Sequence, residues 1–184
     1  MKRLTKLSIL TLAIALLIQS HVQAQNATGQ LRIKARVRGS KLIVNSQGKQ
    51  HVLDVRTSID AAKLYGASVL FATRRQGFLY LVVAVCGSSK LKPDDRQCGA
   101  GQECNLLWIK LNAQWQINDI KSARYESCWA SVTSNDGYKI EGDTLRLDYS
   151  DFREKKEYKL TYDADRPEGG FHIEESAMRD TESG

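Results

Sequence analysis

Four cysteines carry the clearest chemistry in this chain: Cys86, Cys98, Cys104 and Cys128. Their even number suits two disulfides if the chain reaches an oxidising compartment. Cys86 ends the apolar run Leu81-Val82-Val83-Ala84-Val85, and Cys104 precedes the run Leu106 to Leu111. If those runs are adjacent antiparallel strands, their ends meet. This favours Cys86–Cys104, with Cys98 reaching Cys128. The rival pairing, Cys98–Cys104 with Cys86–Cys128, stays open, because spacing alone does not choose between connectivities. No C-x-x-C is present and histidines are few, so a zinc shell is a poor reading. Oxidised cysteines would also remove the thiolate that a Cys–His mechanism requires.

Between Cys86 and Cys104, around Cys98, runs Lys92-Pro93-Asp94-Asp95-Arg96-Gln97-Cys98-Gly99-Ala100-Gly101-Gln102-Glu103. Asp94, Asp95, Arg96 and Glu103 could form a rigid recognition surface on a disulfide-braced loop. The same carboxylates could instead hold Ca²⁺, the one cofactor the composition suggests, or the loop could simply be solvated. A second oxygen-rich turn, Asp163-Ala164-Asp165 with Glu168-Gly169-Gly170, lacks the full spacing of a Ca²⁺ loop.

The sharpest surface feature is the row Arg32, Lys34, Arg36 and Arg38. These alternate with Leu31, Ile33, Ala35 and Val37. Period-2 alternation describes a half-buried strand whose exposed face is wholly cationic, with charges about 7 Å apart. Such a row suits an acidic protein or an anionic envelope polymer. It also suits protection of a sheet edge against association. Nucleophilic catalysis has less support. Between Gln25 and the C-terminus only His51 and His172 could serve as bases, and no G-x-S-x-G, H-E-x-x-H or Walker loop occurs. Gly87-Ser88-Ser89 reads as a turn at a strand end. Trp108, Trp115 and Trp129 read as core packing before they read as a sugar platform.

The compartment that all this presupposes is written at the N-terminus. Lys2, Arg3 and Lys6 precede an apolar run from Leu7 to Ile18, followed by Val22-Gln23-Ala24. That is the pattern of a cleavable signal peptide over residues 1–24. The run is about a dozen residues, where a membrane span needs roughly 20. The expected location is the periplasm or the extracellular space, which disfavours nucleic acid as the polyanion. Asn26-Ala27-Thr28 is a formal glycosylation sequon. The chain has 184 residues and a formal charge of +6; taking away the three leader cations leaves +3. From Gln25 to Tyr80 the only acids are Asp54 and Asp60, whereas acids dominate after Gly142.

The elements that must position these residues are strands. Hairpins are expected at Leu42–Val44 with Val52–Val55, at Ser68–Thr73 with Phe78–Cys86, and at Asn105–Leu111 with Gln114–Ile120. Another is expected at Leu145–Tyr149 with Tyr158–Tyr162. Ala123 to Thr133 reads as a strand closed by the turn Asn135-Asp136-Gly137. Thr57 to Tyr65 reads as a short helix, with Thr57 and Asp60 as a capping box and Gly66 as its stop. Residues 25–175 therefore form a single all-β domain, a meander sandwich or barrel, and residues 176–184 a disordered tail. The functional expectation is a non-enzymatic binding protein, inhibitor- or immunity-like, using the loop and the basic strand. A secreted hydrolase with acidic catalytic residues and an envelope-associated structural module are the alternatives.

Overall fold

A computed structural model describes residues 33–90 and 101–178. Among them lie eleven strands and no α-helix. The first three, β1 (Ile33–Arg38), β2 (Lys41–Ser46) and β3 (Lys49–Asp54), form an antiparallel sheet in the order β1-β2-β3. The turn joining β2 to β3 is only Gln47-Gly48. Both residues have positive φ, as tight hairpins with right-twisted arms require. The remaining strands are β4 (Lys63–Arg75), β5 (Phe78–Ser88), β6 (Gln102–Leu111), β7 (Ile117–Ser127), β8 (Val132–Glu141), β9 (Thr144–Asp151), β10 (Lys156–Asp163) and β11 (His172–Ala177). They make one eight-stranded antiparallel sheet whose spatial order follows the chain. The all-β meander expected from the hairpin pattern is what the chain builds.

β5 and β6 are apolar on both faces because both faces are covered. On one side Leu79, Leu81, Val83, Val85, Leu107, Ile109 and Leu111 meet Leu42, Val44 and Leu53 of the small sheet and Val55 just after it. On the other side the large sheet folds over itself. Phe71 on β4 lies 5.4 Å from Tyr162 on β10, between ring centres. Tyr80, Trp108, Tyr125, Leu145, Leu147 and Leu160 complete that second core. The fold-over occurs at β7–β8, whose register consists of the single pair Ser127↔Val132. The indole N–H of Trp108 donates to the carbonyl of Pro167 at 2.7 Å, tying β6 to the β10–β11 connection.

Four local readings of the sequence are corrected. The expected strand Ala123–Thr133 is split: β7 ends at Ser127, and the chain turns over 128–131 before β8 begins at Val132. The segment Thr57–Tyr65 is not a helix. A 3-10 turn covers Arg56–Ser58 without a side-chain cap, and β4 begins at Lys63. Asp60 ion-pairs with Lys90 instead of capping, and Gly66 pairs with Cys86 beside a bulge in β4. An isolated nine-residue helix is marginal in water, and pairing with β5 offers this segment more. Asn135-Asp136-Gly137 does not turn the chain either. The register steps from Ser134↔Tyr149 to Tyr138↔Leu147, so the triplet bulges within β8, and the hairpin closes later at Gly142-Asp143. Finally, Ser176 and Ala177, expected in the tail, belong to β11, where they pair with Glu157 and Lys156. The leader, the sequon and the last six residues lie outside the described residues.

Candidate functional site: a cationic sheet face and an adjoining polar cleft

Cys86 and Cys104 stand directly opposite in the β5–β6 register and are disulfide-bonded, with Cα atoms 4.2 Å apart. Cys128 is also in a disulfide, whose other half lies outside the described residues, as does Cys98. The ends of the β5–β6 connection close on each other. The N–H of Ser89 donates to the carbonyl of Gly101 at 3.0 Å, and that of Cys128 to the carbonyl of Gln102 at 3.4 Å. Gly101 is required there: a Cβ on it would lie 2.6 Å from Cys128 Cβ and 2.9 Å from Ser89 Oγ. Asp94, Asp95 and Arg96 lie outside the described residues. Glu103, expected beside them on a recognition loop, is instead on β6 and only 1% exposed. Its Oε1 accepts from the Ser89 hydroxyl at 2.7 Å. The alternation of β6 turns Glu103 toward the side of Leu107 and Leu111, so this carboxylate braces the loop base and cannot contact a partner.

The basic row is arranged as its alternation requires. Lys34, Arg36 and Arg38 on β1 are exposed, while Ile33 is buried and Ala35 and Val37 are partly so; Arg32 lies outside the described residues. The register extends this row into a face. Lys34 is opposite Asn45, which is opposite Gln50. Arg36 is opposite Ile43, then Val52, and Arg38 is opposite Lys41, then Asp54. Val52, at the centre of β3, is 58% exposed. Arg36 donates a 3.4 Å hydrogen bond to Gln50. Among the described residues Lys34, Arg36, Arg38 and Lys41 take part in no ion pair.

The only acid of this face, Asp54, is held by Arg56. Its carboxylate accepts from Nε at 2.9 and 3.0 Å and from Nη2 at 2.6 Å. These hydrogen bonds, with the Arg56 charge, hold the Asp54 carboxyl below its ordinary pKa. Arg56 thereby links the sheet face to a polar cleft of 490 Å³ formed with Asp60, Lys90, Asn105, Ser122 and Arg124. Lys90 is paired with Asp60. Asn105 and Arg124 are direct partners in the β6–β7 register, next to a bulge that leaves Tyr125 without a counterpart. Asn105 is 4% exposed; its amide nitrogen donates to Ser122 Oγ at 2.8 Å, and its Oδ1 has no partner. Arg56 and Asp60 come from the link between β3 and β4, Lys90 follows β5, Asn105 lies on β6, and Ser122 and Arg124 lie on β7. They belong to four separate segments, and no periodicity or motif marks them in the sequence.

The side chains considered for catalysis are engaged elsewhere. His51 stacks on Trp115 with ring centres 3.7 Å apart and planes within 8°. Burial, and secondarily Lys49, lowers its pKa, which favours the neutral imidazole. His172 is exposed on the edge strand β11, 3.4 Å from Glu174. Tyr125 has its hydroxyl 3.8 Å from Cys86 Sγ, and burial pushes its phenol up to about 12. In the second acidic turn, Asp163 accepts from Arg166 at 2.8 Å and Glu168 lies 3.6 Å from Arg75. Among the described residues no three His, Cys, Asp or Glu side chains gather as metal ligands would. Trp108 is core. Trp129 donates its indole N–H to the carbonyl of Lys90 at 2.8 Å. No family model, no curated protein and no solved structure matches the chain.

Proposed function

We propose that this chain is an exported binding protein that engages an anionic partner through the outer face of β1–β3 and performs no chemistry on it. The observation that carries this reading is the exposed row Lys34, Arg36 and Arg38, joined by Lys41 and without an ion pair among the described residues. The spacing along β1, about 7 Å between successive charges, suits a linear partner with repeating acidic groups, such as an anionic envelope polymer. The exposed Val52 lies between the charged rows and would make apolar contact with the backbone of such a polymer. Export is supported by the leader pattern and by the Cys86–Cys104 disulfide, a bond that persists in oxidising compartments. Among the described residues no helix is long and apolar enough to cross a membrane.

The test is retention on immobilised heparin as a model polyanion. Wild-type protein should bind at low salt and be released as ionic strength screens the contact. The triple variant Lys34→Glu, Arg36→Glu, Arg38→Glu should not be retained. Retention of the triple variant equal to wild type would overturn the reading. So would a triple variant that self-associates while still binding heparin, because the row would then serve only to keep sheet edges apart.

A further inference from the structure

Among the described residues the two sheets have four edges: β1 and β3 on the small sheet, β4 and β11 on the large one. An open edge is a template for another strand, and proteins block it with charge, bulges or a covering segment. β1 and β4 lie against each other, β1 with its three cations and β4 with two bulges. β11 carries Glu174 and Glu175 at its centre. β3 has none of these devices. It pairs with β2 over all six residues without a bulge, and Gln50-His51-Val52-Leu53 holds no lysine, arginine, acid, proline or glycine. The turn before it fixes which backbone groups this edge offers. Gln47 and Gly48 form a two-residue loop, so Ser46 and Lys49 are a hydrogen-bonded pair and the pair types alternate from there. Gln50, Val52 and Asp54 fall at the non-hydrogen-bonded positions. Their N–H and C=O groups therefore point away from β2, and among the described residues none of them meets a backbone partner. Their side chains stand on the outer face, where Val52 at the centre is 58% exposed.

From this edge we infer that two copies of the chain pair through β3, antiparallel about a two-fold axis at Val52. A two-fold axis perpendicular to the sheet sets outer face beside outer face, so it passes through a residue whose backbone groups point outward. An axis at Asp54 would set two carboxylates opposite each other. An axis at Gln50 would leave Leu53 and Asp54 beyond the pairing. With the axis at Val52, Val52 faces Val52 of the second copy, and Gln50 faces Asp54. Gln50 accepts from Arg36 through Oε1, which leaves its amide N–H for the Asp54 carboxylate. No like charges are brought opposite each other. The two outer faces then form one six-stranded face with two rows of Lys34, Arg36 and Arg38, so that one linear polyanion gains a second point of attachment. That consequence rests on the proposed function; the pairing itself does not.

Sedimentation velocity of the full chain without any polyanion tests the pairing. A six-residue contact is smaller than a standard interface, so half-association is expected at about 10–100 µM. Val52→Pro removes an outward N–H and no bond to β2, a change that edge strands tolerate, and should stay a single chain throughout. Val52→Lys sets like charges opposite each other at an exposed position and should have the same effect without disturbing the strand. Mild oxidation tests the register. Val52→Cys should form a disulfide-linked dimer, because the paired Cα atoms would lie about 5.5 Å apart. Gln50→Cys should not, because its two copies would lie four residues apart along the strand, about 13 Å. Four results would overturn the inference. They are a single-chain mass for wild type up to about 1 mM, species that grow beyond two chains, association of Val52→Lys equal to wild type, and cross-linking of Gln50→Cys as ready as that of Val52→Cys. The Val52 variants leave Lys34, Arg36 and Arg38 in place, and the dimer is measured without heparin. The pairing and the charge row therefore stand or fall separately.

Discussion

On the outer side of β9–β11, Asp148 lies opposite Lys159, and Lys159 lies opposite Glu174, so each charge meets its opposite across the strand. On the opposite face of β10–β11 Lys156 reaches Glu175 at 2.7 Å. On the outer side of β1–β3 the pattern differs: Arg38 lies opposite Lys41, whose other neighbour Asp54 is bonded to Arg56, and Lys34 and Arg36 face neutral side chains. Both surfaces are exposed and rich in charge. In the sequence, bases dominate before Tyr80 and acids after Gly142. In space Lys159 stands between two acids, whereas the outer face of β1–β3 keeps an excess of cations. Opposite charges across a strand attract, and a row of like charges is held against its own repulsion.

The comparison can be broken most forcefully by exchanging the two faces. Reversing Asp148 and Glu174 to Lys should leave heparin retention within about twofold of wild type, while reversing Lys34, Arg36 and Arg38 should lower affinity by on the order of 100-fold, about 2.7 kcal/mol. Equal effects measured at equal ionic strength would mean that only net charge matters and that the faces do not differ. A smaller effect concerns stability. Lys159→Glu removes two cross-strand attractions and creates two repulsions, and should cost about 1 kcal/mol in urea denaturation. The matching change on the other face should have the opposite sign: Arg38→Glu places a carboxylate opposite Lys41 and should stabilise by roughly 0.2–1 kcal/mol while weakening heparin binding. If Arg38→Glu destabilises, the like-charge pair is not strained and the contrast fails.

The smallest effect is at His51, on the inner side of the same small sheet. Its pKa is lowered in the fold, so the unfolded chain takes up a proton first as pH falls. The stacked neutral form with Trp115 therefore contributes fully above the ordinary imidazole range. That contribution is lost as pH drops through that range toward the folded value. Thermal midpoints of wild type should decline over this window slightly more than those of His51→Phe, which keeps an aromatic ring against Trp115 and cannot titrate. Parallel curves for the two proteins would sink the assignment.

Much of the fold was legible because period-2 alternation is local. Leu31 to Arg38, Leu145 to Tyr149 and Tyr158 to Tyr162 each announce a strand and its buried face without reference to anything else. The two-sided apolar character of Phe78 to Cys86 announced a central strand covered on both faces. What misled was local chemistry with more than one use. Asn135-Asp136-Gly137 can form a hairpin turn or a bulge, and the choice is made by where Leu145 and Leu147 must lie in the core. Thr57 and Asp60 can cap a helix, but Asp60 is drawn to Lys90, thirty residues on. Glu103 looked like a loop carboxylate because the cysteine next to it was read as the loop's end; the strand in fact begins at Gln102.

By itself the amino-acid sequence determined the strand content, the cationic face of β1 and the export pattern, all of which rest on residues close together in the chain or on alternation along it; it favoured Cys86–Cys104, and the β5–β6 register chose it over the rival pairing. Only the tertiary structure decided that Lys159 stands between Asp148 and Glu174 and that Glu103 is buried. Nor could anything else bring Arg56, Lys90, Asn105 and Arg124 to one cleft. The reason is that charge pairing, burial and convergence depend on inter-strand register and on the fold-over at β7–β8. Those are properties of how strands are stacked, and no single segment encodes them.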